Sequence, residues 1–246
     1  MVQSIDRAMQ IVQALISDET KLHWSISDLA EKTKLPISTV HRLISTLIQH
    51  GLVEQVAETK QYKAGHLWME IGLRLLENVD YRVVARPIME ALALEVKEST
   101  YLNIPHGTDA IIIERVDSPL KVRIIDNLGI RIPLHIGAGN KTILANFEER
   151  EMTATIETLI PTQEKRQELR NQLLDIKQHG YAISYGERTE GTASIAAPII
   201  GYGHKVVGAL SIGVLSYQIT DERLAYLIEK VKDAAQLISQ KIGKTP

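Results

Sequence analysis

Polar side chains between residues 38 and 45 have types and spacing that suit contact with DNA. Ser38, Arg42 and Ser45 fall on one side of a helical period, and Thr39 and His41 lie on its flanks. Hydroxyl, imidazole and guanidinium groups hydrogen-bond phosphates and base edges, and such contacts concentrate in the first turns of a recognition helix. The spacing predicts a DNA-reading helix, with an ordinary surface helix as an equally weighted alternative when the segment is taken alone.

The helix that would position these side chains follows a tight turn. Its apolar residues recur at i, i+3, i+4, i+7 and i+8 and predict one buried face, formed by Val40, Leu43, Ile44, Leu47 and Ile48. Pro36 precedes this helix and Gly51 ends it. Ser27 is the expected N-cap of a preceding short helix that has Asp28 in its first turn. Two short helices joined at residues 34–36 have helix-turn-helix spacing, which favours the DNA-binding interpretation.

Segments on both sides complete a predicted winged helix over residues 1–65. An upstream apolar stripe is expected to close a three-helix core and comprises Ile5, Ala8, Met9, Val12, Leu15 and Ile16. Residues 52–56 and 61–63 are predicted strands around a polar tip, which would form the wing. The predicted DNA contacts are Ser27, Pro36, Ser38, Thr39, His41, Arg42, Ser45, Lys60, Tyr62 and Lys63.

The charge of this first segment is balanced. Residues 1–66 contain seven lysines and arginines against seven acidic residues. Any phosphate contact must therefore be local, at Arg42, Lys60 and Lys63, so one domain alone is expected to bind weakly and to need dimerisation. A near-neutral winged helix that binds protein instead of DNA is the alternative.

The composition of the whole chain limits the remaining functions. The 246 residues suffice for two modest hydrophobic cores, and the net charge of -2 is too small to indicate a class of binding partner. The absence of cysteine excludes disulfides, thiolate nucleophiles and cysteine-ligated metals. Neither a signal peptide nor a membrane-spanning run is recognisable, so we expect a cytoplasmic protein with no membrane association. We also expect no cofactor.

Beyond the wing, the pattern predicts an α+β chain with a second, larger domain. A linker helix is expected over residues 66–78, followed by a mixed domain over 79–246. A further helix is expected from Tyr81 to about Ser99. Predicted strands cover residues 101–104, 110–116, 121–126, 194–200 and 206–214, and predicted helices cover 140–146, 163–178 and 221–242. A mostly antiparallel sheet with helices against it is the economical assembly, and such a sheet can enclose a small ligand.

Three glycine-bearing segments are candidates to line that pocket. In residues 133–142 small residues open a helix, whose free N–H groups could hold a carboxylate or phosphate; a tight strand-to-helix turn is the alternative. Residues 180–191 resemble a strand followed by a charged loop that could close over a ligand. In residues 208–213 alternation places Ser211 and Gly213 on one side of a strand, and Ser194 can add a hydroxyl from a neighbouring strand.

Patterns typical of enzymes fail at these positions. Ser211 has alanine, not glycine, two positions before it, so it is no nucleophile elbow. His106, Asp109 and His135 lack the spacing of a metal site, and no carboxylate pair is placed for acid–base chemistry. We therefore expect that this chain is not an enzyme.

The order of these motifs resembles the IclR family of bacterial transcriptional regulators along nearly the whole chain. SIDRAMQIVQALI resembles the opening helix of that family, LPISTVHRLISTLIQHGLVEQ its recognition helix and first wing strand, and YKAGHLWMEIG its linker helix. IPLHIGAGNKTILA, GYAISYGERTEGTASIAAPI and GALSIG resemble three segments of its effector domain.

The resemblance implies a winged helix that docks in the major groove, a GAF-like effector domain, and homodimers or homotetramers on palindromic operators. The effector contacts of the family then fall on Gly137, Ala138, Ser184, Ser194, Ser211 and Gly213. It also implies regulation, more commonly repression of a catabolic operon than activation, by a small carboxylate, sugar acid or aromatic acid.

This sequence departs from the family pattern at several positions. Ser184 stands where some members carry an acid, Gly213 where some carry a hydroxyl, and Ile37 where a basic residue is frequent. Asn140-Lys141-Thr142 replaces the commoner Gly-Lys-Ala. We therefore expect an uncharged or single-carboxylate ligand, held mainly by backbone N–H and hydroxyl groups.

Overall fold

The chain folds into two units, residues 1–78 and 79–246. The computed structural model describes residues 2–18, 20–77 and 80–243. Asn78, the last residue of the predicted linker helix, lies outside the described residues. Within them no helix is long and apolar enough to cross a membrane.

The first unit is a winged helix-turn-helix. Its helices are α1 (Gln3–Leu15), α2 (Ile26–Thr33), α3 (Ile37–Gln49) and α4 (Leu67–Glu77), and strands β1 (Val53–Gln55) and β2 (Tyr62–Ala64) pair as an antiparallel wing. Lys34 ends α2 in the left-handed conformation, with a φ of 56°, and α3 begins three residues later. The predicted turn and wing are confirmed.

One core joins these elements. Its buried members include Ile11, Val12, Leu15, Trp24, Leu29, Val40, Ile44, Leu47 and Val53. The predicted stripe on α1 is partly wrong, because Ile5 and Ile16 are 63% and 66% exposed while Ile11 takes the central core position. The buried face of α1 is therefore rotated from the predicted one, and an apolar strip remains on its surface.

The capping residue of α2 is Ser25, which corrects the expectation for Ser27. The Ser25 hydroxyl accepts from the Asp28 N–H at 3.2 Å, and the Asp28 carboxylate accepts from the Ser25 N–H at 3.0 Å. This reciprocal pair is a capping box. Ser27 lies inside the first turn with an exposed side chain.

A close backbone approach ties the wing to α3 and α4. Gly65 donates to the Leu52 carbonyl at 3.0 Å, and a β-carbon on Gly65 would collide with the Gly51 carbonyl oxygen. Trp68 on α4 packs against the core and donates its indole N–H to the Leu52 carbonyl at 2.9 Å. Trp68 therefore joins α4 to the core of the first unit.

The second unit is built on a six-stranded antiparallel sheet. Its strands are β3 (Ser99–His106), β4 (Asp109–Val116), β5 (Arg131–Pro133), β6 (Ala182–Tyr185), β7 (Thr192–Ile200) and β8 (Val206–Leu215), in the order β5-β4-β3-β8-β7-β6. Helices α5 (Asp80–Val96) and α9 (Asp221–Gly243) cover one face. Helices α6 (Ala138–Ala145), α7 (Glu149–Leu159) and α8 (Gln163–His179) pack with the other.

Alternation along β8 separates these two faces. Leu210 and Ile212 are fully buried, whereas Ser211 and Gly213 point to the side of α6 and line a cavity. The predicted alternation in this strand is confirmed. The helix that begins the unit is held to the sheet by Glu114, which is 2% exposed and pairs with Arg82 at 2.8 Å and Arg86 at 3.0 Å.

One predicted strand is wrong. Residues 121–126 form no ladder and run as an irregular segment, with Val122 69% exposed. The Arg115 guanidinium donates to the Asp126 carbonyl at 2.8 Å, and the Tyr101 hydroxyl donates to the Ile124 carbonyl at 2.8 Å. Side chains thus take carbonyls that a strand would have offered to a neighbour, and the segment borders the cavity.

Candidate DNA-contact surface and effector cavity

The outer face of α3 presents the polar residues predicted for it. Ser38, His41, Arg42 and Ser45 are exposed, Thr39 is half-buried, and Pro36 is the exposed N-cap residue. Arg42 makes no ion pair within the described part of the chain. The guanidinium is therefore available to an anionic partner.

The hydroxyls near Arg42 donate along their own helix. The Ser45 hydroxyl donates to the His41 carbonyl at 2.9 Å, and the Thr46 hydroxyl donates to the Arg42 carbonyl at 3.3 Å. Their oxygens retain lone pairs, so these side chains can accept a hydrogen bond from a base amino group without breaking the existing bond.

The wing offers fewer free polar side chains to a DNA partner than the sequence suggested. Lys60 is exposed at the tip. Lys63 pairs with Glu54 at 3.2 Å. Hydrogen bonds from His66, and then from Lys63, lower the pKa of Glu54 to about 2, so the carboxylate stays charged and keeps Lys63 neutralised.

Tyr62 is removed from the predicted DNA contacts. Its ring is 8% exposed and belongs to the core of the winged helix, and its backbone pairs with that of Trp24. Because side chains alternate along β2, Tyr62 points inward and Lys63 points outward.

A single cavity in the second unit collects all six predicted effector residues. The cavity and the open space at its mouth together measure about 660 Å³. Its lining includes Gly137, Ala138, Ser184, Ser194, Ser211 and Gly213. The sheet supplies the serines and Gly213, and the start of α6 supplies Gly137 and Ala138.

The N-terminus of α6 opens into this cavity. Gly137 is the N-cap residue at φ 84°, a conformation that favours glycine. Its N–H donates to the Glu187 carboxylate at 2.8 Å, and the Ala138 N–H donates to the Ser194 hydroxyl at 3.2 Å. The N–H groups of Gly139 and Asn140 donate to no acceptor in the described residues, although both residues line the cavity.

Three serine side chains line the same cavity. Ser184 and Ser194 lie on paired strands with their hydroxyl oxygens 3.2 Å apart, and Ser211 is 6% exposed on β8. A β-carbon at Gly213 would lie 3.2 Å from the Tyr101 ring, so glycine at this position preserves room in the cavity.

Sequence reasoning missed three polar residues of the site. Lys141 is 8% exposed, and its ammonium donates to the Glu187 carboxylate at 2.6 Å. The Asn103 amide N–H donates to the Asn140 side-chain oxygen at 3.0 Å, while the Asn103 oxygen is buried without a partner. The charged loop that contains Glu187 was a usable signal; nothing in the sequence connected Asn103 with α6.

Polar contacts border the cavity mouth. Arg188 pairs with Asp126 at 2.8 Å, linking the loop after β6 to the irregular segment before β5. Burial raises the pKa of Tyr101 to about 12, and nearby Asp126 adds to the effect. Tyr101 is therefore a neutral phenol at ordinary pH, and its proton is engaged by the Ile124 carbonyl.

The residues considered for a metal do not converge. His106 and Asp109 pair across the β3–β4 turn, and His135 lies after β5. Among residues 2–18, 20–77 and 80–243, no cluster of three histidine or acidic side chains could hold an ion.

Comparison with known proteins supplies the family. The IclR helix-turn-helix domain model matches residues 4–57, and the model of the C-terminal domain of bacterial transcriptional regulator IclR matches residues 73–240. The HTH-type transcriptional regulator KipR of Bacillus subtilis is 34% identical over 231 residues, 90% of either chain. The HTH-type transcriptional repressor AllR of Escherichia coli is 29% identical over 249 residues, 98% of this chain and 90% of that one.

Solved structures agree with this assignment. A transcriptional regulator from Rhodococcus sp. RHA1 superposes with a TM-score of 0.83 at 26% identity over 100% of both chains. An IclR homologue from Microbacterium hydrocarbonoxydans, solved in complex with 4-hydroxybenzoate, gives a TM-score of 0.82 at 22% identity over 97% of this chain and 98% of that one. The fold, the matched domains and these relatives together lead to one conclusion: this chain belongs to the IclR family of transcriptional regulators.

Proposed function

We propose that this regulator represses a catabolic operon and that a small carboxylate bound in the α6 cavity changes its affinity for the operator. The observation that carries the proposal is the cavity itself, where amide N–H groups and serine hydroxyls converge in a chain that also has a helix-turn-helix. Two relatives add support: AllR is named a repressor, and the Microbacterium homologue binds 4-hydroxybenzoate.

On the DNA side, α3 is the element proposed to enter the major groove. Arg42 and the hydroxyl and imidazole groups around it would read base edges. The residues proposed to contact base edges or phosphates, all exposed except the half-buried Thr39 and Lys63, are Ser27, Pro36, Ser38, Thr39, His41, Arg42, Ser45, Lys60 and Lys63. Because Lys63 is already paired with Glu54, we assign it a smaller share than Arg42.

Operator binding is proposed to need a homodimer or homotetramer on a palindromic site. The balanced charge of the first unit gives one copy few phosphate contacts. Apolar side chains that a second copy could cover remain exposed, with Ile5 63% exposed on α1 and Met69 and Leu73 56% and 57% exposed on α4. Surface of this kind is typical of an interface.

Effector binding is proposed to act through α4, the helix that precedes the second unit in the chain. A ligand that closes the cavity would change the position of α4 and so the spacing of the two recognition helices in a dimer. Half-sites on a palindrome are about one helical turn apart, so a change in spacing alters whether both are reached.

The test of this function is a gel shift with the DNA upstream of its own gene, at two salt concentrations and with random competitor DNA. We expect a discrete complex that survives the competitor and weakens with salt. Small acids that release or tighten the complex would identify the effector class. Complexes that random DNA removes, at every acid tried, would contradict sequence-specific regulation. If expression of a reporter gene under this promoter falls when the regulator gene is deleted, the protein is an activator of that promoter and not a repressor.

A further inference from the structure

The Glu187 carboxylate occupies an anion seat formed by the Gly137 N–H and the Lys141 ammonium. We propose that Glu187 is an internal competitor of the effector: an effector carboxylate binds in this seat by displacing it. This inference rests on the proposed function and extends it, because neither Glu187 nor Lys141 belongs to the predicted effector contacts.

The geometry of the seat is that of a bound carboxylate. One Glu187 oxygen accepts from the Gly137 N–H at 2.8 Å, and the other accepts from Lys141 at 2.6 Å. The Gln172 side-chain oxygen accepts from the same ammonium at 3.2 Å. Hydrogen bonds to an ionised group are short and strong, and a helix N-terminus adds a favourable dipole. The seat therefore prefers a negative charge.

The charge balance allows only one carboxylate there. Lys141 is 8% exposed, and its ammonium is the cation that the structure places beside the start of α6. A second carboxylate next to Glu187 would face a like charge in a partly buried site, and Arg188, the other cation at the cavity, is already paired with Asp126. An effector carboxylate and the Glu187 carboxylate therefore exclude each other.

Asn103 independently indicates that a ligand completes this site. It is 6% exposed and lines the cavity, and its side-chain oxygen has no hydrogen-bond partner. The Asn103 amide N–H is fixed on Asn140, in the first turn of α6, so the oxygen remains as an acceptor. A buried acceptor left unpaired is costly, and a ligand donor would satisfy it. The ligand class is therefore a small acid that also carries a hydroxyl or N–H group.

Displacement of Glu187 has a structural consequence in the same loop. Glu187 and the neighbouring Arg188 fasten residues 186–191 at two points, the first on Lys141 and the second on Asp126. A ligand carboxylate in the seat releases the first attachment and leaves the second. Binding of a ligand carboxylate in the cavity therefore loosens residues 186–191 at Glu187.

The test is rescue of an emptied seat by acetate. In the full-length protein, Glu187→Ala should leave the seat vacant, and sodium acetate should raise the melting temperature saturably, measured against sodium chloride at equal ionic strength. The half-saturating acetate concentration should be roughly tenfold or more lower than in the unaltered protein, since one charge-assisted hydrogen-bond pair no longer competes. Glu190→Ala is the matched control, because Glu190 is exposed in the same loop and makes no ion pair among the described residues.

Two results would overturn the proposal. One is an acetate response of Glu187→Ala no larger than that of Glu190→Ala. The other is an undiminished response when Lys141→Gln is added to Glu187→Ala, since the ammonium is half of the seat. The readout is independent of DNA: rescue without operator binding refutes the proposed function alone, and operator binding without rescue refutes the seat alone.

Discussion

Arg42 and Lys63 are both basic residues of the winged helix, and their partners distinguish them. Lys63 is held by Glu54 at 3.2 Å, and the low pKa of that carboxylate keeps the pair intact at ordinary pH. Arg42 has no such partner in the described residues and projects from the outer face of α3. At the residue scale, DNA binding should therefore depend more on Arg42 than on Lys63.

Replacing Arg42 by alanine should weaken operator binding by ~1–3 kcal/mol if the guanidinium reads a base through two hydrogen bonds, and should relax specificity at that base. If Arg42 contacts phosphate alone, all DNA sequences should weaken together and the salt slope should fall by about one. Titrations at several salt concentrations separate the two cases. Arg150→Ala, an exposed arginine on α7, controls for loss of charge. Equal affinity of the two variants would remove Arg42 from the interface.

Substitution of Ser211 tests whether the cavity is the effector site. Its side chain is 6% exposed and lines the cavity, so Ser211→Leu should fill the ligand space and abolish the response to any acid that shifts operator binding of the unaltered protein. Operator affinity without the acid should stay unchanged, because the site lies in the second unit. Ser216→Leu, after β8 and outside the lining, is the control. A normal acid response in Ser211→Leu, read by gel shift, would place the effector elsewhere.

Residue types proved more predictable than residue partners. Glycine, alanine and serine at the six positions that match the family motifs led to one cavity, because each position lies within a single strand or at the start of one helix, where the pattern is local. Glu187 was visible only as part of a charged loop, since its partner Lys141 is 46 residues away in sequence. Asn103 gave no signal at all, because its importance arises from a cavity that several distant segments enclose.

At the scale of an element, helix α2 shows that hydrogen-bond geometry, and not residue type alone, decides which serine is the N-cap. Both Ser25 and Ser27 are suitable caps by type, and Ser27 directly precedes an acidic residue. The reciprocal bonds between Ser25 and Asp28 fix the start of the helix two residues earlier. Lys21 adds an ion pair with Asp28 at 2.9 Å.

Ser25→Ala should lower the free energy of unfolding of the first unit by ~1 kcal/mol, as loss of an N-cap does, whereas Ser27→Ala should change it by less than about 0.5 kcal/mol. Both tryptophans of the chain, Trp24 and Trp68, lie in this unit, so tryptophan fluorescence during urea titration follows its unfolding. Equal loss in the two variants, or a larger loss in Ser27→Ala, would contradict the capping box.

Hydrogen bonds between distant segments, which residue types do not reveal, also explain the errors over longer elements. Residues 121–126 have strand-like types, yet the guanidinium of Arg115 and the phenol of Tyr101 take the carbonyls of Asp126 and Ile124. Helix α7 was not expected because threonines interrupt its apolar period, although Glu149 and Glu151 favour its first turn. Periodicity identified the long helices and the central strands, where burial repeats regularly. It failed where tertiary hydrogen bonds decide the backbone.

At the scale of the whole molecule, the near-neutral charge is the reason for proposing that assembly contributes to operator binding. A net charge of -2 over 246 residues gives no general attraction to DNA. In the proposed mechanism, affinity comes from a few local contacts that a symmetric dimer would make twice on a palindrome.

Leu73→Glu on α4 and Ile5→Glu on α1 each place a charge on an exposed apolar side chain proposed to meet a second copy. We expect the sedimentation coefficient to fall towards that of a smaller assembly for at least one of them, and operator affinity to drop with it. Leu22→Glu is the control, since Leu22 is 74% exposed in the same unit and lies between α1 and α2. Unchanged assembly of both α1 and α4 variants would show that copies meet through other surfaces.

The most direct test of sequence-specific regulation is selection of DNA from a random pool by the full-length protein. We predict enrichment of one motif with two symmetric halves about one helical turn apart, near 10 base pairs from centre to centre. Selection with Arg42→Ala should lose or alter the same base in both halves. Enrichment of no motif, or of an identical motif by both proteins, would contradict the account of α3 as the helix that reads the operator.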